Sequence, residues 1–202
     1  MYRRQYLAVA AGAAAAGCLG GDGGGGTATP EPSLSAPVLG DPDAAVTVAS
    51  YEDFACPHCR TYALDVFPRI REEYVAPGKV RYEHHDFPIP VDERWSWDAA
   101  LAARAVQDAV GDEAFFEYAT RLFENQGQYS MDLIGRLADA VGADADAVRQ
   151  AVREERFRPT VAADRRRGRD AGVSGTPTVF VDGEALSSYG YRTVADAIES
   201  AL

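Results

Sequence analysis

The sequence predicts an α/β protein in which an all-helical insertion interrupts a central β-sheet. Short segments rich in β-branched residues occur at 45–51, 79–87 and 178–186, and such segments are typical of strands. Residues 92–171 carry no strand signal. Apolar residues recur in that stretch at three- and four-residue steps, which indicates helices. These observations together predict two strands, a helical block and then the rest of the sheet.

A helix is predicted between the first two strands. Apolar side chains recur at helical spacing over 57–76. Pro68 is expected to kink this helix, because proline lacks a backbone N–H and its ring clashes with the preceding turn. The Pro-Gly pair at 77–78 is expected to end it. The order strand, helix, strand predicts a parallel crossover unit.

The insertion and the end of the chain contain further local signals. Glycines separate the predicted helices of the insertion, which occupy 93–110, 112–125, 131–141, 144–157 and 159–171. After them, the Asp-Gly pair at 182–183 predicts a hairpin turn between strands at 178–181 and 184–186. Thr193 is expected to cap a last helix that ends near Leu202. At 202 residues the chain has room for one domain and a short accessory region.

The first 17 residues have the form of a signal peptide: a charged start, a short apolar run and then small residues. Arg3-Arg4 resembles a twin-arginine export signal. Ala15-Ala16-Gly17-Cys18 resembles a lipobox, in which Cys18 becomes the lipid-modified first residue of the mature protein. A lipobox usually has a larger aliphatic residue at the position of Ala15, so a plain signal peptide with an incidental cysteine is the alternative.

Residues 18–37 are predicted to form a flexible tether, because their Gly-rich and Pro-rich composition cannot bury apolar surface. The apolar run at 7–17 is about half the roughly 20 residues that a membrane-spanning helix needs. The expected organisation is therefore a signal peptide, a tether and a folded domain over 38–202, held by lipid at the outer face of the cytoplasmic membrane.

The charge balance argues against nucleic acid as a partner. Asp and Glu number 31 against 20 Lys and Arg, a formal net charge of −11, so the basic surface that dominates nucleic-acid affinity is missing. Lys79 is the only lysine. This acidity with so little lysine resembles proteins of extreme halophiles, and a GC-rich genome would also produce it.

The chemistry is predicted to reside in Cys56-Pro57-His58-Cys59, where the first strand passes into the helix. There the Cys56 thiol lies beside unpaired amides and the positive end of the helix dipole, which favour the reactive thiolate. Pro57 suits the first helical turn. His58 adds a group that can donate to the sulfur or carry positive charge near it. Cys59, one turn later, can resolve a mixed disulfide.

Two other uses of a Cys-x-x-Cys pair fit this sequence less well. A structural zinc site ordinarily needs a second pair of ligands, and the three histidines of the chain have no usual spacing for one. A static disulfide would close so short a loop that it would gain little entropy. The sequence therefore predicts no metal and no cofactor.

The Cys-Pro-His-Cys motif, the helical insertion and Val-Ser-Gly-Thr-Pro-Thr-Val-Phe-Val-Asp-Gly at 173–183 closely resemble the DsbA-like thioredoxin-fold family of disulfide oxidoreductases. The resemblance runs from about 38 to 202. It implies a thioredoxin fold with an all-helical insertion between the second and third core strands. It also implies that Cys56 is the nucleophile, Cys59 the resolving thiol and Pro177 a cis-proline beside them, with the Thr176 backbone contacting the substrate chain.

The sequence departs from the family at a carboxylate that many relatives carry six residues before the first cysteine. That position is Ser50 here. Glu52 faces the same side of the strand and is the candidate proton acceptor for the second thiol. The alternative is that Glu52 and Asp53 are simply exposed at a strand end.

The remaining aromatic and histidine residues are predicted to be structural. His84 and His85 lie on alternate faces of a strand, and one of them is expected to be a packed or surface histidine without function. Trp95 and Trp97 are expected in the core or in a groove wall.

The function that follows is a monomeric dithiol oxidase that passes its disulfide to reduced or unfolded exported proteins and exchanges electrons with an unidentified membrane redox partner. A reductase or isomerase on the same fold is the nearest alternative, because the direction depends on how strongly the reduced state is stabilised. A tethered binding or chaperone module with a structural Cys56–Cys59 bridge is the alternative of another class.

Overall fold

The computed structural model describes residues 34–89 and 91–202. The predicted signal peptide, Cys18 and most of the predicted tether lie outside the described residues. Within those residues, no helix combines the length and the apolar character needed to cross a bilayer.

Five strands form one sheet in the order β1-β3-β2-β4-β5. Their bounds are β1 Val38–Leu39, β2 Val46–Glu52, β3 Val80–Asp86, β4 Thr178–Val181 and β5 Glu184–Ala185. β2 pairs in parallel with β3 and antiparallel with β4. The predicted parallel crossover is thus confirmed, and β2 lies at the centre of the sheet.

The crossover helix α1 runs over 57–75. It comprises α-helical Pro57–Thr61 and Phe67–Ile70 and π-helical Tyr62–Val66 and Arg71–Val75. The first π segment ends two residues before Pro68, which has no N–H to donate to the carbonyl four residues earlier. A π-helical turn, in which hydrogen bonds span five residues instead of four, commonly accommodates such a break. Gly78, at φ 77°, follows the end of the helix.

Five helices separate β3 from β4, which confirms the all-helical insertion. Their bounds are α2 Trp95–Val110, α3 Asp112–Glu124, α4 Met131–Asp139, α5 Ala145–Arg153 and α6 Arg158–Asp170. The Asp-Gly pair at 182–183 forms the hairpin turn, with φ 48° and 83°, and joins β4 to β5. Positive φ at both positions is typical of the type I′ turn.

The last helix, α7, spans Tyr191–Ala201 and begins after Gly190. The prediction that Thr193 caps it is wrong, because Thr193 lies inside the first turn and its side chain makes no capping bond. Edge strand β1 was also missed. It has only two residues, which are too few for an alternating pattern to be recognised.

The helices cover both faces of the sheet. α1 and α7 pack against each other and α7 also packs on β4, while α6 packs on β3 and α3 packs on α1 and β1. Gly168 allows α6 to approach closely, since a Cβ there would lie 2.7 Å from a ring carbon of Phe87 and 2.8 Å from one of Tyr51. This packing buries the carboxyl end of β2, from which the chain enters α1.

Candidate active site

Cys56 lies in the N-cap position of α1, with extended backbone angles (φ −78°, ψ 122°), and Pro57 occupies the first helical turn. The turn that leads to it is built by Asp53. The backbone N–H of Cys56 donates to the Asp53 carbonyl at 3.0 Å, and an Asp53 carboxylate oxygen accepts from the N–H of Ala55 at 2.7 Å. Local hydrogen bonding therefore places the thiol at the positive end of the helix.

The surroundings of Cys56 favour its thiolate. Its pKa is lowered from 9.0 to about 5, first by a hydrogen bond from the Cys59 thiol and further by the Thr176 side chain and the backbone N–H groups of Cys59 and His58, against the opposing effect of burial. Because a thiolate is the species that attacks disulfides and the better leaving group, Cys56 is suited to exchange at neutral pH.

Cys59 has the opposite character. It is 0% exposed, and its Sγ accepts from the Asp53 N–H at 3.4 Å. Its pKa is raised well above 9.0, mainly by burial, and also by the hydrogen bond to Cys56 and the negative charge of Glu52. The two cysteines are not joined by a disulfide in this structure. The pair thus couples a stabilised thiolate to a protonated, buried thiol.

Pro177 lies beside the pair, directly before β4. The Thr176–Pro177 peptide bond is cis, and the Thr176 carbonyl oxygen lies 3.3 Å from the Cys56 Sγ, from which it accepts when Cys56 is protonated. The two segments that the motifs singled out, more than a hundred residues apart, therefore meet at Cys56.

The comparisons with known proteins agree with this geometry. The family described as "Thioredoxin" matches residues 33–200. "Disulfide bond formation protein D" of Bacillus subtilis is 27% identical over 180 residues, which are 85% of this chain and 80% of that protein. The chain belongs to the DsbA-like thioredoxin-fold family of thiol-disulfide oxidoreductases.

Solved structures of the family share the fold. Oxidised BdbD of Bacillus subtilis superposes with a TM-score of 0.77 at 26% identity, covering 82% of this chain and 92% of that one. Chlamydia trachomatis DsbA superposes with a TM-score of 0.74 at 21% identity, covering 81% and 88%. The predicted thioredoxin fold with a helical insertion is thereby confirmed.

Glu52 and Asp53 are buried, with only 4% and 1% of their surface exposed. The alternative that they are simply exposed at a strand end is therefore wrong. One oxygen of Glu52 accepts from the Ser50 hydroxyl at 2.7 Å, which itself accepts from Tyr82 at 2.8 Å. The other oxygen, Oε2, is buried without a hydrogen-bond partner among the described residues. Burial raises the pKa of Asp53 to about 6. Both carboxyl groups are therefore close to the thiol pair and out of water.

His84 and His85 are both buried, so neither is a surface histidine. The Nδ1 of His84 lies 3.5 Å from Glu52 and its Nε2 lies 3.5 Å from Asp86. Burial works against its charge, but the hydrogen bonds and charges of these two carboxylates dominate and raise its pKa to about 9. His84 is therefore a buried cation at neutral pH, adjacent to Glu52.

A group of buried charges that we term the Arg104 cluster lies farther from the thiols. Arg104 is 0% exposed and donates to Asp86 at 2.6 Å and to Asp164 at 2.5 Å. It also donates to the Gln107 side chain at 2.9 Å. These bonds tie β3 to α2 and α6. None of these four residues was singled out from the sequence.

The helical insertion also contacts the thiol motif. Gln126 donates to the carbonyls of Phe54 at 2.8 Å and Cys56 at 3.0 Å, and the Tyr129 hydroxyl lies 2.8 Å from the Phe54 carbonyl. The sequence offered no signal for these residues, because each acts through backbone some 70 positions away. They hold the loop before Cys56 in place.

A groove of about 440 Å³ opens beside the motif. Its walls come from the loop before Cys56, the start of α1 and the insertion; the lining residues are Ala55, Pro57, Val91, Asp92, Trp95, Gln126, Gly127 and Tyr129. Trp95 is thus a groove-wall residue as predicted, while Trp97 packs against the core. Within the described residues no three His, Cys, Asp or Glu side chains are grouped as a metal site.

Proposed function

We propose that this chain is an exported dithiol oxidase that introduces disulfides into newly exported proteins through a mixed disulfide at Cys56. The observation that carries the proposal is the opposite effect of the site on its two thiols, with the pKa of Cys56 lowered to about 5 and that of Cys59 raised. In such a pair, the Cys56 sulfur is the site of thiol-disulfide exchange with a client, and the Cys59 sulfur stays buried.

The reaction is a two-electron exchange. A client thiolate attacks the Cys56 sulfur of the Cys56–Cys59 disulfide, a mixed disulfide forms, and Cys59 departs as a thiolate that takes up a proton. A second client thiolate then attacks the client sulfur of the mixed disulfide, and Cys56 leaves as a thiolate. The client dithiol loses two electrons and becomes a disulfide, and the Cys56–Cys59 pair is reduced.

The direction of electron transfer between the Cys56–Cys59 pair and its clients follows from the stability of the dithiol form. The hydrogen bonds that lower the pKa of Cys56 are much stronger when the sulfur is a thiolate than when it is part of a disulfide, so they stabilise the dithiol form relative to the disulfide. A pair with a stabilised dithiol form accepts electrons from its clients. A reductase or isomerase remains the second candidate, and a tethered binding module with a structural bridge the third.

Glu52 is proposed as the proton donor and acceptor for Cys59. Its buried, unpartnered Oε2 and the effect of its charge on the pKa of Cys59 support this role. Ser50 and His84 hold the other oxygen. In the same proposal Pro177 and the Thr176 backbone form the contact with the client chain, beside the Cys56 sulfur.

The location is proposed from the sequence signals and the relatives. A chain similar to proteins named for disulfide bond formation would work outside the cytoplasm, where disulfides persist. We propose export with removal of 1–17, lipid attachment at Cys18, and a tether over 18–37 that holds a monomeric domain at the membrane. A membrane redox partner would reoxidise the pair.

Trapping of the mixed disulfide tests the proposal. In the full-length chain, Cys59→Ser should accumulate a client-linked species that reductant releases, and Cys56→Ser should accumulate none and lose oxidase activity towards a reduced, unfolded protein. Titration of the pair against glutathione then distinguishes the candidates, because an oxidase has a potential above that of the glutathione pool. Unchanged activity in Cys56→Ser would refute the proposal.

A further inference from the structure

Tyr189 covers one face of the first turns of α1. It lies between β5 and α7, next to Gly190 in the N-cap position of α7. Its hydroxyl oxygen is 3.0 Å from Nδ1 of His58, and its ring meets the buried ring of Tyr62 edge-on, with centroids 6.4 Å apart. His58 and Tyr62 are four residues apart and so share a helix face. Tyr62 thus supports the Tyr189 ring while the hydroxyl reaches His58.

His58 can act on Cys56 through its backbone N–H or through its imidazole, and the contact with Tyr189 involves only the imidazole. The backbone N–H of His58 is among the groups that lower the pKa of Cys56. The exposed imidazole is hydrogen-bonded through Nδ1 to the Tyr189 hydroxyl. An imidazole N–H that did reach the thiolate would form a charge-assisted hydrogen bond, which is among the stronger interactions a thiolate can accept.

The tyrosine can keep the ring in both of its protonation states. A neutral imidazole with an unprotonated Nδ1 accepts from the phenol O–H, and an imidazolium Nδ1–H donates to the phenol oxygen. Protonation of His58 therefore does not by itself release the ring towards the sulfur.

We propose that Tyr189 is a positioning residue that holds the His58 imidazole away from the Cys56 sulfur and so limits how strongly the dithiol form is stabilised. The proposal rests on the exchange function argued above and adds a residue that sets how oxidising the pair is. In the described part of the chain the Tyr189 hydroxyl is hydrogen-bonded to His58 and to neither sulfur, so it acts through His58.

The test is a double-mutant cycle on the full-length chain, with the disulfide–dithiol equilibrium against glutathione as the readout. Tyr189→Phe keeps the ring packed on Tyr62 and removes only the hydroxyl. Because the released imidazole can then donate to the Cys56 thiolate, we expect the equilibrium constant to shift about fivefold towards the dithiol, or about 20 mV. In a His58→Ala background the same change should have no effect.

Tyr191→Phe is the matched control, because Tyr191 is two residues away and its hydroxyl bonds Glu73 instead of the thiol motif. It should leave the equilibrium unchanged. The pH profile of Cys56 alkylation should move to lower pH in Tyr189→Phe and stay in place in the control.

Three outcomes would overturn the inference: no shift in Tyr189→Phe, a shift towards the disulfide, or an equal shift in both backgrounds, since a merely structural role would act without His58. The proposed function fails separately, if the unaltered chain oxidises no client. The glutathione equilibrium of the pair is measured without any client, so the two failures are distinguishable.

Discussion

The Cys56–Cys59 site and the Arg104 cluster both keep ionisable groups out of water, and they do so in opposite ways. Arg104 has a carboxylate partner on each side, Asp86 at 2.6 Å and Asp164 at 2.5 Å. Among the described residues, the groups that chiefly stabilise the Cys56 thiolate are hydrogen-bond donors and not a paired cation. A charge that must disappear when a disulfide forms is better held by hydrogen bonds than by a buried cation, which would be left unpaired.

The two regions are joined by Glu52 and His84. His84 lies between Glu52, which acts on Cys59, and Asp86, which belongs to the Arg104 cluster. We therefore expect substitutions in the Arg104 cluster and at His84 to change the free energy of unfolding. Substitutions at Glu52 should instead change the rate of thiol-disulfide exchange.

The largest expected effect comes from Arg104→Met, which leaves Asp86 and Asp164 buried without their cation. Removal of one partner from a buried ion pair typically costs about 3–5 kcal/mol of unfolding free energy, and urea unfolding measures it. The loss should be similar in the oxidised and reduced protein, so the reduction potential should move by less than about 30 mV, which is tenfold in the equilibrium constant.

Arg121→Met is the control for this change. Arg121 pairs with Glu117 on the surface of α3, and exposed pairs contribute about 0–1 kcal/mol. A large change in potential in Arg104→Met, with little change in stability, would show that the cluster belongs to the exchange site.

A smaller effect is expected from the titration of His84. Its pKa is raised from 6.5 to about 9, so its stabilisation is fully present below pH 6.5 and is lost as the pH rises through 9. The oxidised protein, in which the cysteines do not titrate, should lose about 2–3 kcal/mol of unfolding free energy between pH 6.5 and 9.5.

His84→Gln should remove most of this pH dependence, with a remainder from His85, whose pKa is also raised by Asp164 and Glu83 against the effect of burial. Urea unfolding of both proteins over the pH series measures the difference. The same slope in the variant would exclude His84 as its source.

The smallest expected effect in free energy is that of Glu52→Gln on the rate at which glutathione reduces the Cys56–Cys59 disulfide. Without a carboxyl group to exchange protons with Cys59, the rate should fall about tenfold, within the lower range of general acid–base contributions. Stopped-flow kinetics measure it. Glu83→Gln is the control, because Glu83 lies on β3 and on the face of the sheet opposite to Glu52. This variant should be reduced at the same rate as the unaltered protein. Equal rates in both variants would leave Glu52 without a role in proton transfer.

The thiol motif and the strand–helix order could be predicted because their signals are local. Cys56, Pro57 and Cys59 lie within one helical turn, and the Asp-Gly turn at 182–183 needs only its own backbone conformation. The burial of Glu52 could not be predicted, because a carboxylate at a strand end has the same local pattern whether or not an insertion covers it. Thr193 shows the same limit, since the position at which a helix starts depends on what the preceding residues contact.

The sequence by itself determined the α/β class, the helical insertion and the Cys56-Pro57-His58-Cys59 motif, because hydrophobic spacing and helix-start chemistry are properties of neighbouring residues. Only the tertiary structure decided which charges surround the pair. The sheet aligns His84 with Ser50 and Asp86 with Glu52, the insertion supplies Arg104, and the loop after β5 brings Tyr189 to His58. Electrostatic and hydrogen-bond partners are set by distance in space, which the order of residues along the chain does not encode locally.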